Sequence, residues 1–295
     1  MVLLLITSFI WAFSFGLVKK YLGNVDANFV AFVRLALALF LFLPMWKPRK
    51  TPAATALRLF FIGMVQYGLM YVFYIQSFRF LAAHQVALFT IFTPLYVAVA
   101  ADLWEKRLQA RHLWTALLAV AGTAVIVYAG LAGDGLLPGF LLVQASNACF
   151  AVGQVWYRRL PAAARQWKDR DIFAWLYLGG AAAAMLAMLF FSGPIVLGLS
   201  AGKWLVLVYL GLLASGVGFF LWNVGATRVE AGLLAVFNNA KVPLAVLVSL
   251  LFFGEQVEWP RLLSGAGIMI LAIWLNSRSD VSRNAPPGNG REAKL

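Results

Sequence analysis

Long apolar stretches separated by short polar gaps run through this chain almost to its end. A helix crosses the hydrocarbon core of a bilayer with about 20 predominantly apolar residues, in a range of about 17–25. By that measure the pattern predicts an all-α membrane protein with spans at Val2–Val18, Ala27–Trp46, Leu59–Phe78, His84–Ala101, Leu113–Leu131, Leu136–Tyr157, Ile172–Phe191, Trp204–Gly225, Ala231–Phe253 and Pro260–Asn276. Pro138 and Pro260 suit early helix positions, where a missing N–H costs little. The first run has no basic stretch before it and no small-residue cleavage site, so it reads as a retained helix. Residues Ser277–Leu295 are polar and rich in Pro and Gly, the composition of a disordered tail.

Composition agrees with this reading and removes other classes. Hydrophobic residues make up 63% of the chain and charged ones 12%, against about 45–50% and about 25% in soluble domains. Aromatic side chains are abundant, as suits rings anchored at membrane interfaces. The single cysteine, Cys149, excludes an intramolecular disulfide and a cysteine-based zinc cluster. His84 and His112 have no second ligand at metal-binding spacing, and neither metal nor cofactor is expected. The net charge of +13 does not indicate nucleic acid, because the basic residues sit in short gaps between spans rather than on one face. With the N-terminus in the cytoplasm, seventeen Lys and Arg fall on that side and five on the other: Lys19, Lys20, Arg79, Lys203 and Arg261. Lys and Arg concentrate in cytoplasmic loops. Both termini are therefore expected in the cytoplasm, in the inner (plasma) membrane.

The chain also repeats itself. At an offset of 149, Arg79, Ala82, Pro94, Leu95, Val97 and Val99 fall on Arg228, Ala231, Pro243, Leu244, Val246 and Val248. One residue of slippage later, Glu105 and Arg111 fall on Glu255 and Arg261, and the segment from Ser8 to Lys20 resembles that from Asn147 to Arg159 more loosely. This predicts repeats over 1–133 and 134–276, followed by the tail 277–295. Five helices per half is an odd number, so the second half would be inserted upside down, as in secondary transporters whose site lies near the midplane between halves.

In Trp11-Ala12, in Arg34, and in the paired endings Pro94…Leu103-Trp104-Glu105 and Pro243…Phe253-Gly254-Glu255, the chain resembles EamA-type members of the drug/metabolite transporter superfamily. The resemblance covers all but the tail. It implies a ten-helix carrier of amino acids, other organic acids, amines or related metabolites, with export the commoner direction. One departure is that Trp104 stands where the second half has Gly254, so the two turns are expected to differ.

Charges inside a bilayer are costly and are functional candidates by default. Two lie well inside spans, Arg34 in the second and Lys241 in the ninth, and no Asp or Glu lies deep in any span. A substrate carboxylate or phosphate would supply the missing anion. For Lys241 the alternative is a neutral amine, or one bonded to carbonyls freed near Pro243. For Arg34 a clamp onto several carbonyls is the better reading, because its planar fork stays charged. Polar residues at helical spacing form three further sets: Gln144, Asn147 and Gln154; Asn238 and Lys241, with Asn239 beside them; and Thr7, Trp11 and Ser14. Each could wall a cavity or simply bond between helices. Tyr67, Tyr71 and Tyr74 form a stripe read mainly as packing, with Tyr71 a candidate contact. Pro94 and Pro243 are candidate hinges, since matched interruptions point to a transporter's binding site. Glu105 and Glu255 read as ties between helix ends rather than proton carriers.

The expected function is a secondary carrier working by alternating access on a small-molecule substrate. An amine exporter is the alternative in the same class. A membrane enzyme lacks a deep nucleophile or acid–base pair, and a non-transporting sensor is disfavoured by the paired prolines. The lipid bilayer is the expected partner, nucleic acid is not, and a homodimer is allowed for.

Overall fold

The computed structural model describes residues 1–106, 135–160, 168–194, 198–229 and 231–254, with, in the last stretch, the side chains of 234, 237, 238 and 241–254. All regular elements there are helical. Seven helices are long and apolar enough to cross a membrane: α1 (Val2–Leu22), α2 (Ala27–Met45), α3 (Ala53–Ser77), α4 (Ala83–Glu105), α5 (Leu136–Arg158), α6 (Asp169–Phe191) and α7 (Ala201–Ala226). An eighth, α8, covers Ala231–Phe253. These match eight predicted spans. The predicted spans Leu113–Leu131 and Pro260–Asn276, with Glu255 and the tail, lie outside the described residues. Phe190 and Phe191 are 75% and 80% exposed, which suits hydrocarbon and not water.

The ends depart from the sequence pattern for local reasons. Helix α1 runs on through Lys19 and Lys20, whose long stems can lie along apolar surface while the amines reach the headgroups. Helix α6 begins at Asp169, with Asp169 and Asp171 in its first turn, where carboxylates oppose the positive end of the helix dipole. Asp26 caps α2 by accepting the N–H groups of Asn28 (3.0 Å) and Phe29 (2.9 Å).

The eight helices pack as a closed circuit. Helix α1 lies on α8, α8 on α4, α4 on α5, α5 on α3, α3 on α6, α6 on α2, α2 on α7, and α7 on α1. Exchanging α1 to α4 for α5 to α8 leaves this set of pairings unchanged.

Backbones come very close in this circuit. A Cβ on Gly63 would lie 1.8 Å from the Leu176 carbonyl oxygen, and one on Gly179 would lie 1.9 Å from that of Phe60. Glycine is required there because α3 and α6 touch main chain to main chain, the usual way for helices to gain contact in lipid.

Helix regularity breaks in two related places that the side-chain pattern does not signal. Helix α3 widens to a π-helical segment at Met64–Leu69, and α7 does so at Tyr209–Val217. The matched prolines behave differently from each other. In α4, a 3₁₀ turn at Thr90–Phe92 precedes Thr93, and Pro94 opens the next helical stretch. Pro94 has no N–H to offer the Thr90 carbonyl, and the Thr93 hydroxyl bonds that carbonyl instead at 2.6 Å. Pro243 instead lies inside the continuous helix α8. The helix ends also differ, as Trp104 and Gly254 imply. Gly254 takes the left-handed conformation (φ 66°). In the first half Lys106, just after Glu105, takes it instead (φ 53°).

Gly63→Ala is expected to lower stability by about 1–3 kcal/mol through overpacking. The shift should appear in thermal unfolding followed by tryptophan fluorescence in detergent. Gly202→Ala, which meets nothing within 4 Å, should leave the midpoint unchanged.

Candidate functional site

A small cavity lies between α1, α2, α3, α4, α5, α7 and α8, and its wall contains both deep cations, Arg34 and Lys241. Trp11, Ser14, Tyr71 and Asn147 line it as well. Four of the proposed contacts other than Lys241 thus meet in one space, although they come from three helices.

Lys241 is 7% exposed. Its ammonium lies 5.2 Å from the ring centre of Trp11, 5.5 Å from that of Phe150 and 5.9 Å from that of Trp222. A cation over a ring face gains about 0.5–1 kcal/mol when exposed and about 2 or more when desolvated. Removing an ammonium from water costs several kcal/mol even after relaxation, so the rings offset only part of the cost. No carboxylate lies beside Lys241 among the described residues. An anion entering the cavity would meet a cation that is held in place but not neutralised.

Arg34 is a clamp, though not of the form predicted. Its Nε donates to Ser215 Oγ (3.2 Å) and its Nη2 to the Tyr71 hydroxyl (2.6 Å), while the guanidinium stacks 4.2 Å from the Tyr71 ring centre. The partners are hydroxyls of α3 and α7 rather than backbone carbonyls. Ser215 donates in turn to the Leu210 carbonyl (2.7 Å), so in the 2.9 Å contact between the two hydroxyls Tyr71 is the donor. Arg34 Nη1 is buried without a partner.

The π-helical segment of α7 anchors the site. Its widened turn frees carbonyls, and side chains from other helices take them up. Trp11 Nε1 donates to the Ala214 carbonyl (2.9 Å), and the Tyr177 hydroxyl reaches those of Ser215 and Gly216 (2.8 and 2.7 Å). This bond fixes the Trp11 ring under Lys241. On the opposite wall the break in α4 presents the Phe89 carbonyl, which accepts from Asn147 Nδ2 (3.0 Å). Thr93 Oγ1, whose proton goes to the Thr90 carbonyl, lies 3.3 Å from Asn147 Oδ1.

Other predicted residues lie elsewhere. Gln154 is two turns beyond Asn147 and outside the cavity wall; its Oε1 accepts from Trp222 Nε1 (3.2 Å), which orients one ring of the Lys241 cage. Asn238 is 1% exposed, and neither atom of its amide has a partner. The Asn239 side chain and Glu255 lie outside what is described. Glu105 accepts a hydrogen bond from Arg159, tying the end of α4 to that of α5. Pro94 and Pro243 are absent from the wall, although Thr90 and Thr93 beside Pro94 belong to it.

The sequence pattern missed Phe150, Phe219 and Trp222, the rings around Lys241 and Trp11. It also missed the layer in which Gln66, Asn223 and Tyr67 bond one another (3.0 and 2.7 Å). Spacing held a usable signal there, since Phe150 is one turn from Asn147 on the same face of α5.

Comparison with known proteins now decides the family. Residues 1–128 and 137–278 match the model of the EamA-like transporter family. The biotin transporter of Salmonella typhimurium is 37% identical over 293 residues, 99% of this chain and 97% of that protein. A probable biotin transporter of Pseudomonas aeruginosa is 40% identical over 275 residues, 92% of this chain and 96% of that one. A crystal structure at 18% identity superposes with a TM-score of 0.65, covering 96% of this chain and 98% of its own, and so supports the fold. The chain belongs to the EamA-like transporter family.

This EamA-like transporter is thus a multi-pass membrane protein of a family that transports small molecules. A ring of Trp11 kept in place by a single bond to the π segment is open to test. Trp11→Phe retains a ring but removes the donor to the Ala214 carbonyl. Leaving that carbonyl unpaired is expected to cost about 1–3 kcal/mol, read as a lower unfolding midpoint in detergent, and to weaken substrate affinity by loosening the cage.

Proposed function

We propose that this transporter carries a monocarboxylate of biotin's kind through its central cavity, with the carboxylate on Lys241. The observation that carries this reading is the Lys241 ammonium, set among three rings with no described counterion. A carboxylate arriving there would form a charge-assisted bond in a low-dielectric site, and the rings of Trp11, Phe150 and Phe219 would cover an apolar chain. The relatives that span nearly the whole chain are named biotin transporters. Two cations in the wall count against an amine as substrate.

The carrier works by alternating access. The closed circuit of eight helices, unchanged when the halves are exchanged, supports two inverted repeats at 1–133 and 134–276, in which the halves rock about the cavity. The loop charges support ten helices in the inner membrane with both termini, and the tail 277–295, in the cytoplasm. Asn238 and Arg34 Nη1, both buried without partners, are groups that a rearranged state would satisfy. Pro94 and Pro243 serve that rearrangement as hinges beside the site.

Purified protein in liposomes should take up labelled biotin with saturable kinetics. Lys241→Gln is expected to remove at least nine-tenths of that flux while the protein keeps its elution profile and unfolding midpoint. Normal transport by this variant would exclude Lys241 from substrate contact.

A further inference from the structure

Four of the five cations that the chain places on its non-cytoplasmic side gather at one cleft. Lys19 and Lys20 at the end of α1, Arg79 after α3 and Lys203 at the start of α7 line it, together with Asn24 of the α1–α2 turn, around about 1070 Å³ of open space. Cations are sparse on that face of a membrane protein, so their convergence on a single cleft calls for a reason. Some are tethered: Lys19 Nζ donates to the Phe78 carbonyl (2.7 Å) and Lys203 Nζ to Asn24 Oδ1 (2.9 Å). The Asp26 carboxylate lies 3.8 Å from Arg79. Asp26 Oδ1 accepts from the α2 N–H groups and the Ser192 hydroxyl (2.6 Å), and Oδ2 is the oxygen that faces Arg79.

The cleft stands directly above the central cavity. Ser14 of the cavity and Lys20 of the cleft are six residues apart on α1, about 9 Å along a helix. Three aromatic rings in mutual contact join the two. Phe15 meets Tyr74 edge-on at 5.8 Å, and Tyr74 meets Phe78 edge-on at 5.1 Å. Phe15 and Tyr74 line the cavity, and Phe78 lines the cleft.

We propose that this cleft is the entry port for the anionic substrate on the outer face, with Phe15, Tyr74 and Phe78 as the plug between port and cavity. A cleft lined by one sign of charge raises the local concentration of oppositely charged solute and its capture rate. A port of this kind on the outer face favours uptake over the export that family resemblance implies. The proposal rests on the carboxylate reading and on the cytoplasmic N-terminus.

The port is tested first without any substrate. In a Cys149→Ser background, Tyr21→Cys places a thiol in the cleft, and anionic and cationic membrane-impermeant methanethiosulfonates are applied to intact cells. The ratio of anionic to cationic reaction rate should exceed that of a free cysteine about tenfold, and should fall toward it when Lys20→Gln and Lys203→Gln are added. An unchanged ratio, or labelling only after permeabilisation, overturns the proposal. In liposomes of neutral lipid, the Lys20→Gln/Lys203→Gln variant should raise the KM for biotin about tenfold with Vmax unchanged, and should lose the rise in KM that salt causes in the wild type. The Lys20→Arg/Lys203→Arg variant should behave as wild type. An effect seen only when anionic lipid is present would make the cleft a headgroup site and overturn the port. Loss of flux in Lys241→Gln with a wild-type KM in the Lys20→Gln/Lys203→Gln variant would leave the carboxylate reading standing and remove the port alone.

Discussion

Hydrocarbon offers no hydrogen-bond partners, so any backbone that departs from helix inside the bilayer must find its partners in the protein. The central cavity is built from such departures. The π segment of α7 frees carbonyls that Trp11 and Tyr177 occupy, and the break before Pro94 frees one that Asn147 occupies. Each bond satisfies the backbone and at the same time fixes a side chain at the cavity. The wall is therefore shaped by where the helices are irregular, and the regular parts of the same helices supply the packing that holds it.

That packing depends on backbone contact between helices of the two halves. Gly63 and Gly179 let α3 and α6 meet main chain to main chain, and Gly218 leaves room for the Trp11 indole, whose Nε1 lies 2.9 Å from where a Cβ would stand. Helices this close transmit a shift of one to the next, since no layer of long side chains absorbs it. The cage around Lys241 draws on α5 and α7, from the same half of the chain as Lys241, and on α1 from the other, so Trp11 is the ring whose distance from the ammonium depends on how the halves sit.

The membrane fold was legible because apolar runs and loop charge are properties of composition over about 20 residues. The cavity was legible where polarity is costly: Lys241, Asn147, Ser14 and Trp11 stand out against apolar helices and do come together. Gln154 stood out for the same reason but serves one step away, holding Trp222, because helical spacing reports a shared face and not depth. The rings of Phe150, Phe219 and Trp222 were hidden among many lipid-facing aromatics. The π segments leave no mark in side-chain polarity, since what changes is the backbone. Arg34 was expected to bond carbonyls, but it bonds the hydroxyls of Tyr71 and Ser215, which come from other helices and which no local spacing predicts.

Lys241 lies two residues before Pro243, and the residue two before Pro94 in the other half is Phe92, also buried. The helix pairings match between the halves, but the amine is single. On the carboxylate reading, an acidic head would meet the Lys241 amine beside Pro243 and a phenyl ring at the equivalent place beside Pro94, with Arg34 as the second cation of the wall. Matched helix pairings therefore enclose a wall whose charge is not matched.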